Sequence, residues 1–172
     1  MTLVLKCYKR SLSAISIGGE KIRITPAVLT KFLKPFVDKK INLFAISSGE
    51  YNVTIFIDEV DVEKATLQLT DIIVKQPYIG ISVQRKIGVI SVRGPEVLST
   101  PGLLHKFLTP IAREKINILA VVTSYDTVFL FFSHTDLEKA YSLLNVYIPE
   151  KISIFKRAKE KAREIVKKIA GK

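Results

Sequence analysis

The chain has 172 residues, which is enough to bury a core as one large domain or two small ones. Hydrophobic residues make up 48% of it, and it contains only 7 prolines and 8 glycines, so it lacks the composition of a disordered chain. No apolar run approaches the roughly 18 residues of a membrane span, and the apolar part of MTLVLKCYKR is too short for a secretory signal. The chain has a single cysteine, Cys7, which excludes an internal disulfide framework. We therefore expect a soluble, cytoplasmic protein with no membrane partner.

The net charge of +11 is concentrated at the C-terminus. Residues 156–172 contain eight basic and two acidic side chains and contribute +6, which leaves +5 for the rest of the chain. Most of the basic excess therefore belongs to one segment, and a general nucleic-acid-binding surface is not needed to explain it. We predict a solvated basic helix over residues 157–172, with nucleic acid or an acidic protein as the alternative partner of that helix.

The chain contains an internal repeat. The segment Thr25–Pro35, TPAVLTKFLKP, returns 75 positions later as Thr100–Pro110, TPGLLHKFLTP. With this offset 19 of the 49 residues from Thr25 to Ile73 are identical to their partners, whereas chance supplies roughly three. Two copies of one structural unit follow.

Each copy begins with a short β-rich run that ends at glycine, LSAISIGG from Leu12 and IGVISVRG from Ile87. In the Thr-Pro pair that follows, at residues 25–26 and 100–101, we predict the threonine as the helix N-cap and the proline as the first helical residue. Apolar residues at helical spacing then predict a helix in each copy.

Two further strands, a second helix and a last strand complete each unit. We expect the second helices to begin after Asp61 and Asp136, which suit the N-cap position. The resulting order, β-α-β-β-α-β twice, predicts two tandem ferredoxin-like α+β units with antiparallel sheets, over residues 1–85 and 86–156. The predicted strands are INLFAIS from Ile41, YNVTIFI from Tyr51, YIGISVQ from Tyr78, INILAVV from Ile116, TVFLFF from Thr127 and KISIF from Lys151.

The strand TVFLFF is apolar on both faces, with Phe129 and Phe131 on one face and Val128, Leu130 and Phe132 on the other. An antiparallel sheet with helices on one face normally alternates apolar and polar residues. We therefore expect the second face to be covered by another sheet or by a second subunit. A homodimer is predicted on this basis.

The ferredoxin-like order serves many functions, so side chains must decide between them. RNA-recognition modules carry a basic-glycine-aromatic pattern on the third strand, which both copies lack, and their aromatic residues are predicted to be core or interface residues. Cys7, His105 and His134 are too far apart in sequence to indicate a metal site. No phosphate-binding loop, Ser-His-Asp order or Cys-His pair is present, so we predict no catalytic residue, cofactor or metal and do not expect an enzyme.

Three segments resemble the ACT domains. VRGPEVLSTPGLLHKF from Val92 is similar to the aspartokinase regulatory segment in which a glycine-containing loop leads to Ser/Thr-x-Pro-Gly at a helix start. KKINLFAISSGEYNVTIFIDEVDVEKA from Lys39 resembles the aspartokinase strand pair with its Ser-Glu-Tyr-Asn turn. TPIAREKINILAVVTSYDTVFLFF from Thr109 resembles the arginine-sensor branch of the family. The resemblance covers about residues 12–156, and no kinase catalytic domain accompanies it.

This resemblance implies a pair of units that binds an amino acid, of the aspartate family or basic, and allosterically regulates a partner such as an aspartokinase-type enzyme. A helix N-terminus suits an α-carboxylate, small residues there permit close approach of backbone, and Glu50 or Asp126 suits a ligand cation. The alternative for the Thr and Asn residues is a role in helix caps and turns alone. The alternative function is nucleic-acid binding through the basic tail. The implied ligand-binding residues are Thr25, Pro26, Ala27, Asn42, Ser48, Glu50, Asn52, Thr100, Gly102, Leu103, Asn117, Thr123, Ser124 and Asp126.

Overall fold

A computed structural model describes residues 3–20, 22, 27–75 and 80–147 of the chain. All six strands in these ranges are antiparallel and join into one sheet. The strands are β1 (Val4–Gly18), β2 (Leu43–Ser48), β3 (Asn52–Asp58), β4 (Gly80–Arg93), β5 (Ile118–Ser124) and β6 (Thr127–Ser133). Their order across the sheet is β2-β3-β1-β4-β6-β5.

The helices lie over the two halves of this sheet. They are α1 (Val28–Asp38), α2 (Val62–Ile73), the short α3 (Glu96–Ser99), α4 (Leu103–Arg113) and α5 (Leu137–Tyr147). Phe32 and Phe36 of α1 and Leu69 of α2 pack on β1 and β3 to form the core of the first copy. Phe107 and Leu144, from α4 and α5, occupy the corresponding core of the second copy. None of the helices among the described residues is long and apolar enough to cross a membrane.

The predicted fold class is confirmed, because the strand-helix order repeats and the sheet is antiparallel throughout. Asp61 is the residue at the N-cap of α2, although its side chain makes no capping hydrogen bond. Asp136 directly precedes α5, and its carbonyl accepts the hydrogen bond of the Ala140 N–H at 2.9 Å. The predicted helix over residues 157–172 lies outside the described residues.

The two central strands are longer than predicted and belong to both copies. β4 joins the last strand of the first copy to the first strand of the second without a break. The first half of β1, Val4–Tyr8, pairs with Val89–Arg93 of β4. In a ferredoxin-like unit this place beside the first strand belongs to the fourth strand. The N-terminal segment therefore fills the position that the sequence predicted for the strand from Lys151, which lies outside the described residues.

The predicted helix start at Thr100 and Pro101 is wrong. Helix α4 begins at Leu103, its N-cap is Gly102, and Gly102 has a left-handed φ of 75°. Thr100 instead follows α3 and accepts the Leu103 N–H on its carbonyl oxygen at 3.2 Å. Glycine takes a positive φ at little cost, so the chain turns at Gly102 and the helix starts after the Thr-Pro pair. The equivalent Thr25 and Pro26 lie outside the described residues.

The sheet is strongly coiled, and its two halves face each other. Phe44 of β2 and Phe131 of β6 are separated by three intervening strands, which in a flat sheet corresponds to about 19 Å. Their ring centroids are only 6.1 Å apart. A separate hydrophobic cluster made only of strand residues fills the space between the halves, while the helices cover the outer faces.

An approximate twofold axis relates the copies. Phe56 and Phe131 occupy the same position in the repeat, and their rings lie 4.1 Å apart. Leu12 and Ile87 are likewise equivalent, and they pair with each other between β1 and β4. Contact between identical positions is the property of a symmetric dimer interface, here formed within one chain. The second face of β6 is covered, as expected, but by the first copy's half of the same sheet and not by another sheet or a second subunit. The homodimer stays a prediction that this face no longer requires.

Candidate functional site

A cleft of about 410 Å³ opens in the second copy between the α3–α4 segment and the turn that joins β5 to β6. A cavity of this size is within the range of small-molecule sites. Its floor is the hydrophobic core, because Leu103, Phe107 and Val128 are all at least 95% buried. The lining residues are Val97, Leu98, Leu103, Leu104, Phe107, Thr123, Ser124, Tyr125 and Val128.

The turn on one side of the cleft is tied to the end of β4. Arg93 donates from Nε to the Asp126 carboxylate at 2.9 Å, and the Thr127 hydroxyl donates to the same carboxylate at 2.9 Å. The Gly94 N–H donates to the Asp126 carbonyl at 2.8 Å. The side-chain hydrogen bond from Arg93 holds the pKa of the Asp126 carboxyl below its ordinary value, and the bond from Thr127 acts in the same direction. Asp126 is therefore ionised and engaged within the protein.

The other side of the cleft is set by the two helices α3 and α4. Val97 and Leu98 come from α3, and the left-handed Gly102 redirects the chain so that Leu103, Leu104 and Phe107 line the same cleft from α4. A Cβ atom at Gly102 would meet no atom within 4 Å. The glycine therefore lowers the cost of this backbone conformation and does not serve to make space.

The two copies differ at this N-cap, which gives a matched pair of variants. Ala27, the equivalent of Gly102, adopts φ 57° with a side chain that disfavours this conformation. We expect Ala27→Gly to raise the free energy of unfolding by about 1 kcal/mol, and Gly102→Ala to lower it by about 1 kcal/mol. Urea denaturation followed by circular dichroism measures both. If both variants change the free energy of unfolding in the same direction, the explanation by backbone strain is wrong.

The cleft brings together three of the residues that the sequence implied, Leu103, Thr123 and Ser124. Gly102 and Thr100 lie just before α4, whereas Asp126 is already held by Arg93. Sequence reasoning missed the remaining lining residues because apolar side chains at helical or strand spacing give the same signal in a core as in a cleft. The missed residues are Val97, Leu98, Leu104, Phe107, Tyr125 and Val128.

Four of the implied residues of the first copy lie at the equivalent end of the sheet. Ala27 is the exposed N-cap of α1. Ser48, Glu50 and Asn52 are exposed around the β2–β3 turn, where the Gly49 N–H donates to the Asn52 carbonyl at 2.8 Å. Thr25 and Pro26 are outside the described residues, so the structure describes this end only on its turn side and at the start of α1.

Asn42 and Asn117, which precede the second strand of each copy, lie away from the cleft of the second copy. Asn42 lines a separate hollow of about 330 Å³ with Tyr8 and Phe44. In the same hollow Arg10 donates to Asp58 at 3.1 Å. Asn117 is exposed immediately before β5 and lines neither of these two cavities.

The aromatic residues of the third strands are not placed for stacking on nucleic-acid bases. Phe56 and Phe131 are at most 2% exposed in the strand-only cluster, and Phe132 is fully buried in the second core. The prediction that the aromatic residues are core or interface residues is confirmed for these three, while Phe129 is half-buried against the strand-only cluster. Across the described residues, no group of three His, Cys, Asp or Glu side chains is close enough to hold a metal ion.

Comparisons with known proteins agree on one family. A family model for the ACT domain matches residues 8–71 and 82–146. Curated protein sequences give no match.

Among solved structures, the aspartokinase alpha and beta subunits superpose with a TM-score of 0.75 at 19% identity, covering 85% of this chain and 97% of that one. The Clostridium acetobutylicum aspartate kinase superposes with a TM-score of 0.75 at 18% identity, covering 81% of this chain and 33% of that enzyme. The regulatory subunit of aspartate kinase from Thermus flavus superposes with a TM-score of 0.72 at 16% identity, covering 84% of this chain and 95% of that subunit. These likenesses show a shared fold. Since the family model matches both copies and well over half of the sequence, the chain belongs to the ACT-domain family.

Proposed function

We propose that this chain is a non-catalytic regulatory protein that binds an amino acid in the cleft of its second copy. The observation that supports the proposal is the cleft itself, which unites the α3–α4 segment with the β5–β6 turn. These are the two segments that resemble the ligand-binding parts of ACT domains. The similarity in fold to regulatory subunits of aspartate kinase supports a regulatory role.

The polar groups around the cleft suit the two ends of an amino acid. The first N–H groups of an α-helix have no partner within the helix, and that of Leu103 is taken by Thr100. The N–H group of Leu104, which lines the cleft, then suits an α-carboxylate, which the helix dipole also favours. The exposed Thr123 and Ser124 hydroxyls across the cleft suit the ammonium group.

Regulation follows from linkage between the cleft and the surface that surrounds it. A ligand that contacts both α3 and the β5–β6 turn favours the arrangement in which the two are drawn together. A partner that distinguishes this arrangement from the open one is coupled to the ligand by the same free energy. We propose an aspartokinase-type enzyme as this partner and a homodimer as the working form, as the family resemblance implies.

A thermal-shift panel of the common amino acids at millimolar concentration tests the proposal. A ligand present at 100 times its dissociation constant adds about 2.7 kcal/mol to the free energy of unfolding, which raises the Tm by roughly 5–10 °C for a chain of this size. The matched variants Thr123→Ala and Ser48→Ala, at equivalent positions of the two copies, report which copy binds. We expect only Thr123→Ala to reduce the shift.

The competing function, nucleic-acid binding through the basic tail, gives a different pattern. It predicts no thermal shift with any amino acid, together with RNA or DNA binding that weakens steeply with salt. Deletion of residues 157–172 would abolish that binding. This combination of results would contradict the amino-acid sensor.

A further inference from the structure

We infer that the cleft of the second copy selects an amino acid with an apolar side chain, in the size range of leucine, isoleucine, methionine or phenylalanine. The inference rests on the proposed function and specifies its ligand class. Among the residues that the structure describes, nine line the cleft, of which six are apolar and none carries a charge. The polar side-chain groups of this described lining are those of Thr123 and Ser124 and the hydroxyl of Tyr125.

A charged ligand side chain finds no partner in this lining. The acidic residue of the adjoining turn, Asp126, already accepts hydrogen bonds from Arg93 and Thr127. A lysine or arginine side chain in the cleft would lose water without gaining an anionic partner, and an aspartate side chain would lack a cationic one. The lining therefore disfavours lysine, arginine and aspartate, and with them the basic ligands that the family resemblance implied.

The mouth of the cleft exposes apolar surface that a ligand of this class would cover. Leu98 is 55% exposed and Tyr125 is 84% exposed, and they flank the mouth from opposite sides. The floor below them is the closely packed core of Leu103, Phe107 and Val128. A ligand side chain reaching this floor buries its own apolar surface and that of the mouth at the same time.

The repeat singles out the mouth as the part that differs between copies. The floor residues Leu103, Phe107 and Val128 correspond to Val28, Phe32 and Val53, which are all apolar. At the mouth, Leu98 corresponds to Arg23 and Tyr125 to Glu50. Large uncharged residues thus stand in the second copy where the first copy has charged ones. The substitutions Leu98→Arg and Tyr125→Glu introduce the first copy's residues into the second.

Titration calorimetry on the full chain tests the inference, with L-leucine, L-isoleucine, L-methionine and L-phenylalanine compared with L-alanine, L-lysine, L-arginine and L-aspartate. We expect L-leucine to bind about 50-fold more tightly than L-alanine, because its side chain is three carbon atoms larger.

Leu98→Arg and Tyr125→Glu should each weaken L-leucine binding by about 10-fold or more. Leu67→Arg, at a 67% exposed site on α2, is the matched control and should leave the affinity unchanged. Unchanged Tm values without ligand verify that the variants fold.

The outcomes separate the inference from the proposed function. Preferential binding of lysine, arginine or aspartate, weakened by Leu98→Arg, would overturn the inference and leave the amino-acid sensor standing. Binding of apolar amino acids that neither mouth variant affects would place the ligand elsewhere and also overturn the inference. A chain that binds none of the common amino acids would overturn the proposed function, and the inference with it.

Discussion

Replacing Phe131 by alanine is expected to lower the free energy of unfolding by about 4 kcal/mol. The Phe131 ring is fully buried between the two halves of the sheet, 4.1 Å from Phe56 and 6.1 Å from Phe44 between ring centroids. Its removal leaves a cavity whose walls are strands held on both sides by hydrogen-bonded neighbours, so the site cannot collapse easily. Urea denaturation at equilibrium measures the change.

Phe129 provides the control on the same strand. It is only half-buried and touches Phe44 at 5.7 Å between centroids, so Phe129→Ala is expected to cost about 2 kcal/mol. A double-mutant cycle of Phe131→Ala with Phe56→Ala should give a coupling of about 1 kcal/mol, because the rings pack directly against each other. Strictly additive effects of the two substitutions would contradict the face-to-face packing of the copies.

The repeat and the alternation of apolar residues were sufficient to predict the elements, because both properties are local. Strands β2, β3, β5 and β6 and helices α1, α2, α4 and α5 follow from patterns within about ten residues. The partner of each strand is set by contacts distant in sequence. Leu3, Leu5 and Cys7 alternate as a strand should, but nothing local indicates that this segment completes the second copy.

The helix start shows how two local signals compete. Thr-Pro is a good N-cap and first helical residue, yet Gly102 allows a left-handed turn two residues later. The structure adopts the later start, and the short α3 takes up the preceding residues. Ala27 takes the same conformation without being glycine, so the geometry belongs to the unit as a whole and not to the glycine.

The candidate site was predictable on its polar side only. The resemblance to ACT domains implied Thr123 and Ser124, and both line the cleft. The apolar lining carries no such signal, since Phe107 and Val128 are core residues and lining residues at once. Asp126 was expected to serve a ligand cation, but a long-range partner, Arg93, engages it.

Replacing Gly88 by alanine is expected to lower the free energy of unfolding by about 2 kcal/mol. A Cβ atom at this buried position of β4 would lie 2.5 Å from Cδ2 and 2.7 Å from Cδ1 of Leu137. Leu137 is 6% exposed and packed into the second core, so its side chain has little room to move. The same substitution at an unobstructed strand position normally stabilises by about 0.5 kcal/mol, since it reduces the freedom of the unfolded chain.

Gly80 supplies that unobstructed position in the same strand, because the nearest atom to its added Cβ is 3.9 Å away. Gly80→Ala should therefore leave the free energy of unfolding unchanged or raise it slightly. An opposite change at Gly88 would then not be a general effect of replacing glycine in a strand. A destabilisation of similar size at both positions would show that backbone freedom, and not contact with Leu137, dominates.

The first copy indicates how a side chain at the position of Gly88 can be accommodated. Its equivalent positions carry Ser13 and Val62 in place of Gly88 and Leu137, and both are fully buried. A larger residue on the strand thus accompanies a smaller one at the helix start. We expect Leu137→Val alone to cost about 1 kcal/mol, and the double variant with Gly88→Ala to be no less stable than Gly88→Ala alone, so that the interaction free energy reaches at least about 1 kcal/mol. If the double variant instead loses about 3 kcal/mol, the sum of the single losses, the strand and helix positions have not compensated for each other, and the size exchange between the copies has another origin.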